Sequence, residues 1–303
     1  MNNTIEIMPI DHGWSHIKTA NLVFDTAIEE VTMPTFFDNI LEYEGKQYSV
    51  GGTRNEVKDN KATNMDYYLL SLVAMAKEFE KRNLREANVY IAAGLPLTRF
   101  GQEKQEFIDY LSQNKEVTFK FSEKEYHIRI HKVSVYPQCY AAVVDMIPTF
   151  PRKMIVVDIG SWTIDIMPVI DKVPYDPDCD SLPHGIITCM KAINQKCIRL
   201  FNCELDEKDI EHYIRFRNSS LPEEVVSLIE EELKAYAAMI LAKLKEHEIN
   251  VQMTPVIFVG GGAILMKNYG NLEGANIQYK TDIKANAKGY EVLAKIALKN
   301  ARR

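Results

Sequence analysis

One pattern occurs twice in this chain of 303 residues and leaves few folds open to it. In the first copy the apolar run IEIMPI leads into Asp11-His12-Gly13-Trp14-Ser15-His16-Ile17-Lys18. In the second, KMIVV leads into Asp158-Ile159-Gly160-Ser161-Trp162-Thr163-Ile164-Asp165. Each copy is an apolar strand, then Asp-x-Gly, then two polar or aromatic residues, then another strand. The copies stand nearly half the chain apart. This spacing predicts two similar half-domains, each presenting a hairpin turn toward one cleft. Dinucleotide-binding and P-loop glycine motifs lead from a strand into a helix. Here both turns lead into a strand, and no GxxxxGK[ST] segment occurs.

Strand and helix signals mix along the whole sequence, which argues for α/β layers. Strands are expected at Ile5–Ile10, Ile17–Phe24, Val89–Ala93, Ile155–Val157, Ile164–Val169 and Val256–Val259. Short hairpins are expected around Glu44-Gly45-Lys46 and around Ser122–Glu125. Apolar residues at helical spacing predict a helix over Met65–Glu80, N-capped by Asn64. Further helices are expected at Gln102–Leu111, Pro137–Met146 (opening on proline), Ile186–Phe201, Asp206–Arg215 and Pro222–His247. Lys172–Pro183, rich in proline and aspartate, reads as a loop. Gly289 is expected to interrupt the last helical pattern near its start, with Tyr290–Leu298 closing the chain.

Composition excludes several classes. The longest apolar run, Ala235–Ala242, is far short of the ~20 residues that span a bilayer. The N-terminus lacks a basic start and an apolar signal core, so a cytoplasmic protein is expected. Lys and Arg total 36 against 42 Asp and Glu, a net charge of −6, wrong in sign for direct binding to nucleic acid. The basic residues at 299, 302 and 303 read only as a soluble tail. The five cysteines have no CxxC spacing and read as buried thiols. The acidic helix Pro222–His247 reads as a solvated face.

The two turns suit phosphate chemistry. Glycine lets backbone N–H groups approach an anion closely. Ser15, Ser161 and Thr163 add hydroxyl donors, and Lys18 adds a positive charge. Asp11 and Asp158, one at each strand end, can hold Mg²⁺, mostly through water. A third cluster, Gly260-Gly261-Gly262, follows the strand PVIFV and permits flat, close contact with a base or ribose.

Taken in order, these segments resemble the actin-like ATPases, in the wider group of sugar kinases and seventy-kilodalton heat-shock chaperones. The first phosphate loop corresponds to Asp11–Lys18, a connecting helix to Pro137–Met146, the second phosphate loop to Asp158–Asp165, and the adenosine loop to Val259–Ile264. A last connecting helix falls around Asn286-Ala287-Lys288-Gly289. The stretch AAGLPLTRFG at 92–101 and the closing ANAKGY are most similar to the bacterial plasmid-segregation actins of the ParM/StbA-like type. The resemblance implies an α/β fold of two actin-like, ribonuclease H-like domains around a nucleotide-binding cleft. Domain I would be 1–152 with 285–303, and domain II 153–284.

It further implies an Mg²⁺-dependent ATP (or GTP) hydrolase that polymerises. Asp11 and Asp158 would orient the metal. Gly13, Ser15, Lys18, Gly160, Ser161 and Thr163 would clamp phosphates, and Gly185 with Gly260, Gly261 and Gly262 would surround the adenosine. Gln138, helped by Asp158, would place the attacking water. Implied partners are other copies of the chain in a filament and a small DNA-binding adaptor of ParR type, with no direct nucleic acid and no membrane. The alternatives are a non-polymerising ATPase scaffold and a small-molecule kinase of the same superfold. The family usually has small or polar residues where Trp14 and Trp162 stand. These two either line the cleft or pack behind the turns. His16 is read as a hydrogen-bonding loop residue rather than a metal ligand.

Overall fold

The structure, a computed structural model, describes residues 4–32, 38–52, 55 and 60–301. Arg302 and Arg303 of the expected basic tail lie outside the described residues. The chain divides into two compact units, residues 1–145 with 284–303 and residues 146–283.

The first unit opens with β1 (Ile5–His12), β2 (His16–Lys18), β3 (Val23–Asp25) and β4 (Ile28–Val31). The hairpin β5 (Ile40–Tyr43) and β6 (Lys46–Val50) comes next, then α1 (Asp66–Arg82). β7 (Glu86–Leu95), α2 (Leu97–Leu111), β8 (Glu116–Phe121), β9 (Lys124–Pro137) and the single turn α3 (Tyr140–Val143) complete this part. Among the described residues nine strands join in the order β3-β2-β1-β7-β9-β8-β5-β6-β4. β1, β7 and β9 run parallel.

Parallel strands are covered on both faces, and these are. Val89, Ile91 and Leu95 of β7 join one core with α1. Tyr90 and Ala92 join a second core on the other face with the last helix. At the far side β8 keeps strict alternation, with Val117, Phe119 and Phe121 buried and Glu116, Thr118 and Lys120 exposed. One face of the sheet there meets solvent.

The second unit holds β10 (Lys153–Ile159), β11 (Ile164–Ile170), β12 (Val173–Pro174) and β13 (Asp180–Leu182). Three helices follow, α4 (Ile186–Phe201), α5 (Glu207–Phe216) and α6 (Glu223–Glu246). β14 (Val256–Val259), α7 (Ala263–Tyr269) and β15 (Ile277–Tyr279) end the unit, and α8 (Ala285–Ala301) belongs to the first. The sheet runs β12-β11-β10-β14-β15, with β13 also pairing β11. β10 is buried from Met154 to Ile159 and β11 from Ile164 to Val169. Ile193 and Cys197 of α4 and Ile229, Leu233 and Ile240 of α6 pack in the same core as Ile155, Val157 and Phe258.

The helical pattern over 222–247 and the strand at 256–259 stand as the sequence reading has them. Other elements differ for identifiable reasons. The expected strand Ile17–Phe24 is a hairpin. The Thr19 hydroxyl accepts the N–H groups of Asn21 and Leu22 and forces a turn. That hydroxyl also donates to Glu78, which Arg82 holds at 3.2 Å, so the turn is anchored on α1. α1 starts at Asp66, and the Asn64 side chain accepts the Asp66 N–H at 3.2 Å. α2 begins directly after Pro96, five residues before the expected start at Gln102. Lys172–Pro183 is not all loop, because β12 and β13 edge the sheet there.

Two corrections concern the connecting helices. Pro137 does not open a helix. It ends β9, paired with Leu95, and α3 starts only at Tyr140. Gly289 does not interrupt α8, which runs unbroken from Ala285. The glycine serves packing: a Cβ there would lie 1.9 Å from the Ala141 carbonyl oxygen.

Of the cysteines, Cys139, Cys189 and Cys197 are buried, whereas Cys179 is half-buried and Cys203 exposed. Among the described residues no helix is long and apolar enough to cross a membrane.

Candidate functional site

The first unit gathers one set of candidates where β1 turns into β2. Asp11 and Lys18 are cross-strand partners, and Lys18 Nζ donates to Asp11 Oδ2 at 3.0 Å. Gln138 Nε2 donates to Asp11 Oδ1 at 2.9 Å, although the two residues are far apart in sequence. The turn between the strands is held from behind. Thr26 donates its hydroxyl to the Gly13 carbonyl at 2.8 Å and its N–H to the Ser15 carbonyl at 2.9 Å. A side chain on Gly13 would lie 2.6 Å from the His16 carbonyl and 2.9 Å from Lys18 Nζ, so only glycine lets the ammonium close over the turn. His16 lies on β2 with Nε2 3.5 Å from Asp25.

Burial would raise the Asp11 carboxyl, but Lys18 and Lys61 more than offset it and hold the group below its ordinary range. His12 is also wholly buried. Burial pushes its imidazole down to about 3, so it is neutral. The Ser71 hydroxyl already donates to the Tyr67 carbonyl, so His12 Nε2 is the donor in its 2.8 Å bond to Ser71. His12 therefore locks β1 to α1 and adds no charge.

The sequence reading missed Lys61. It is only 4% exposed. Its ammonium stands 5.6 Å from the Trp14 ring and 5.9 Å from the Tyr67 ring. Burial pushes its pKa down to about 8, with Asp11 opposing the fall and Lys18 adding to it. Nothing in its own stretch of sequence marks Lys61. It sits in a polar segment, and only the tertiary fold brings it to the turn.

Gln138 is presented by a strained turn. Tyr140 N–H donates to the Gln138 carbonyl at 2.6 Å across Cys139, whose φ is 66° and ψ −58°. This is a γ-turn of the strained, positive-φ kind. Such a conformation costs about 1–3 kcal/mol and persists only where its surroundings over-determine it. Here Gln138 N–H donates to the Leu95 carbonyl at 2.8 Å, and the fully buried Cys139 donates its N–H to Asn286 Oδ1 of α8 at 3.1 Å. Asn286→Ala leaves that buried donor without its acceptor and should cost about 1–3 kcal/mol. Asn286→Asp keeps an acceptor and should retain most of the stability. Chemical unfolding of the two variants beside the parent checks this, and equal losses would contradict it.

The second unit gathers the other candidates at the end of β10. The turn from β10 to β11 is closed by Gly160 N–H donating to the Thr163 carbonyl at 2.9 Å. The carbonyls of Gly160, Ser161 and Trp162 accept the N–H groups of Ile186, Ile187 and Gly185. The first amides of α4, orphans in any helix, are thus satisfied by the turn, and the helix end is not open to an anion. What remains for an anion is the Ser161 hydroxyl and the outward face of the turn, because the Thr163 hydroxyl donates to Asp165 Oδ2 at 3.3 Å. A Cβ on Gly185 would lie 2.4 Å from the Ser161 carbonyl. Gly185 therefore sits against the turn.

β14 runs parallel beside β10, with Val259 opposite Asp158. That register sets the triple glycine against the same strand end. Gly262 N–H donates to the Ile159 carbonyl at 2.9 Å. Gly260 has φ +80°, and its Cβ would lie 2.2 Å from Asp158 Oδ1. Trp162 is half-buried against the core of this unit, and Lys191 lies over its ring at 5.9 Å. Trp14 likewise packs against its own core and Tyr67.

Asp165, absent from the expected set, is the cross-strand partner of Asp158 and is as buried. Directly opposed residues on a sheet have Cβ atoms about 5 Å apart. Two carboxylates on one face at that distance suit a cation. Among the described residues no three His, Cys, Asp or Glu side chains converge on one point. The donor set thus offers no all-protein cage. It fits Mg²⁺, which keeps several waters and takes one or two carboxylates together with phosphate oxygens.

Two α/β units, each with a strand-turn-strand motif closed by Asp-x-Gly, define the architecture of the actin-like class. Residues 10–140 match the actin-like proteins' N-terminal domain, and residues 156–270 match the C-terminal domain of the archaeal actin homologue MreB-like family. The chain belongs to the actin-like proteins. In sequence, no curated protein matches it.

Solved structures with the same fold include Ta0583, an archaeal actin homologue, at 18% identity and TM-score 0.77, covering 96% of this chain and 99% of that one. The pSK41 ParM protein aligns at 16% identity and TM-score 0.74, over 99% of both chains. ParM from Bacillus thuringiensis, solved with AMPPNP, aligns at 14% identity and TM-score 0.73, over 96% and 98%. The Alp12 filament structure aligns at 17% identity and TM-score 0.67, over 96% and 99%.

Proposed function

We propose that this chain is an actin-like ATPase that binds ATP, or GTP, with Mg²⁺ and assembles into filaments whose growth and decay follow hydrolysis. The observation that carries the reading is the Asp11–Lys18–Gln138 constellation: a buried carboxylate, a cation and a neutral amide held together at a glycine turn. Relatives of the same fold have been solved with ATP, with ADP and as a filament. The finer reading is plasmid segregation through a small DNA-binding adaptor of ParR type. It agrees with a net charge of −6, which disfavours direct DNA contact.

Each residue has a role in this reading. Gly13, Ser15 and Lys18 in one unit, and Gly160, Ser161 and Thr163 in the other, hold phosphate oxygens. Asp158 with Asp165 would hold the waters of Mg²⁺, which would supply charge neutralisation at the phosphates. Asp11 holds Lys18 and Gln138 in place. Gly260–Gly262 offer their bare backbone to the nucleoside, and Gly185 supports the second turn. Gln138, fixed by its Nε2 bond to Asp11, keeps Oε1 to accept a hydrogen bond from a water and so orient that water toward the terminal phosphate. Little covalent chemistry is asked of the protein, because positioning and charge stabilisation carry phosphoryl transfer.

Light scattering and phosphate release, followed together after adding Mg-ATP, test the reading, with Mg-ADP and nucleotide-free controls. Scattering that rises and then decays as phosphate appears supports it. Phosphate release with flat scattering over a wide protein range removes the filament and leaves a monomeric ATPase or a kinase. Gln138→Ala should slow phosphate release by about 10²-fold or more while assembly on Mg-ATP persists. An unchanged rate would take Gln138 out of the mechanism.

A further inference from the structure

Among the described residues Lys61 is a buried ammonium without an ion-pair partner. The described charges acting on it most are Asp11, Lys18, Glu103 and Arg99. Asp11 is engaged by Lys18 at 3.0 Å, and Arg99 faces Glu103 at 3.6 Å. Among the described residues none of these carboxylates makes an ion pair with Lys61. Burying a charge is expensive unless it is paired. The Trp14 and Tyr67 rings offset part of that cost by cation–π attraction. They do not neutralise it, so among the described residues the Lys61 charge stays unpaired.

The segment that presents Lys61 is pre-set. The Asn60 side chain accepts the Ala62 N–H at 2.7 Å and donates to Glu106 of α2 at 2.9 Å. Thr63 donates its hydroxyl to the Asn60 carbonyl at 2.9 Å. Lys61 is thus held between α2 and the turn rather than free to swing into solvent. The contrast with the other turn is informative. Lys191 lies over Trp162 at a similar distance but is exposed, and water solvates it. Only at the first turn is a lysine kept out of water.

We propose that Lys61 is a second phosphate-binding cation of the first turn, and that the anion missing from its surroundings is the phosphate chain of the nucleotide held at Gly13–Lys18. The inference rests on the nucleotide reading above. Lys61 and Lys18 both act on Asp11, so the anion is met by two ammonium groups, and among the described residues only Lys18 is already paired. A lysine that merely filled the gap between Trp14 and Tyr67 would be replaceable by any side chain of its length.

Calorimetric titration with Mg-ATP and Mg-ADP separates the two roles in Lys61→Met and Lys61→Arg. Methionine keeps the length and the aromatic contacts but removes the charge. Lys61→Met should bind Mg-ATP at least about tenfold more weakly, with a shallower dependence on salt. Its thermal midpoint should equal or exceed that of the parent, since an unpaired buried charge is gone. Lys61→Arg should stay within about threefold of the parent, because the charge remains. A folded Lys61→Met that binds Mg-ATP as tightly as the parent overturns the inference, as does a Lys61→Arg no better than Lys61→Met. If the parent itself binds neither nucleotide, the nucleotide reading falls and takes this inference with it.

Discussion

Gly289→Ala should lower the stability of the first unit by about 2–3 kcal/mol, the upper part of the usual range for forced overpacking. The added methyl would lie 1.9 Å from the Ala141 carbonyl oxygen, 2.4 Å from its carbon and 3.0 Å from its Cα. All three obstacles are backbone, so no side chain can rotate away. α3 and α8 must part, and α8 also carries Asn286, which restrains Cys139, and Tyr290, which fills the space over Gly94. Alanine is the better helix former by about 1 kcal/mol, which offsets some of the loss without cancelling it. Denaturant unfolding read by far-UV circular dichroism measures the difference. An alanine variant as stable as the parent would mean that the two helices do not approach this closely.

Gly260→Ala should cut nucleotide hydrolysis by about 10²-fold, the cost of displacing a positioned group by roughly 1 Å. Two effects combine at this residue. Its φ of +80° penalises any side chain, by about 1–2 kcal/mol. The new methyl would also sit 2.2 Å from Asp158 Oδ1 and 2.8 Å from the Ile159 carbonyl. The carboxylate can swing aside, so the protein should still fold, but Asp158 would leave the place where it faces Asp165. Gly261→Ala is the internal control. Its Cβ would meet only Ile186 Cδ1, at 3.7 Å, and its φ is not positive. Steady-state phosphate release should separate the neighbours sharply. Similar rates for both variants would remove Asp158 from the site.

How much of this was legible in the sequence differs from element to element. The repeated strand, Asp-x-Gly and strand is a local pattern: apolar runs make strands, and glycine permits the tight reversal. Both copies are hairpins in the structure, in register Asp11 with Lys18 and Asp158 with Asp165. The long helix α6 and the buried strand β14 followed from periodicity for the same reason. The connecting helix did not. Pro137 reads as a helix start because proline favours the first helical position. In the fold it ends a strand, because pairing of β9 with β7 continues to Leu95 and outweighs a one-residue preference. Gly289 reads as a helix breaker for a similar reason. Its purpose is visible only when Ala141 lies against it.

The sequence by itself determined the α/β class, the two strand-end turns and their acidic, hydroxyl and glycine chemistry, because those depend on neighbours along the chain. Tertiary structure alone decided the rest. It bonded Gln138 to Asp11, strained Cys139 and tied it to Asn286, folded the triple glycine onto Asp158, and buried Lys61 against the Trp14 ring. Each of these contacts joins residues distant in the chain. Their geometry is set by sheet register and helix packing, which no short stretch of sequence encodes.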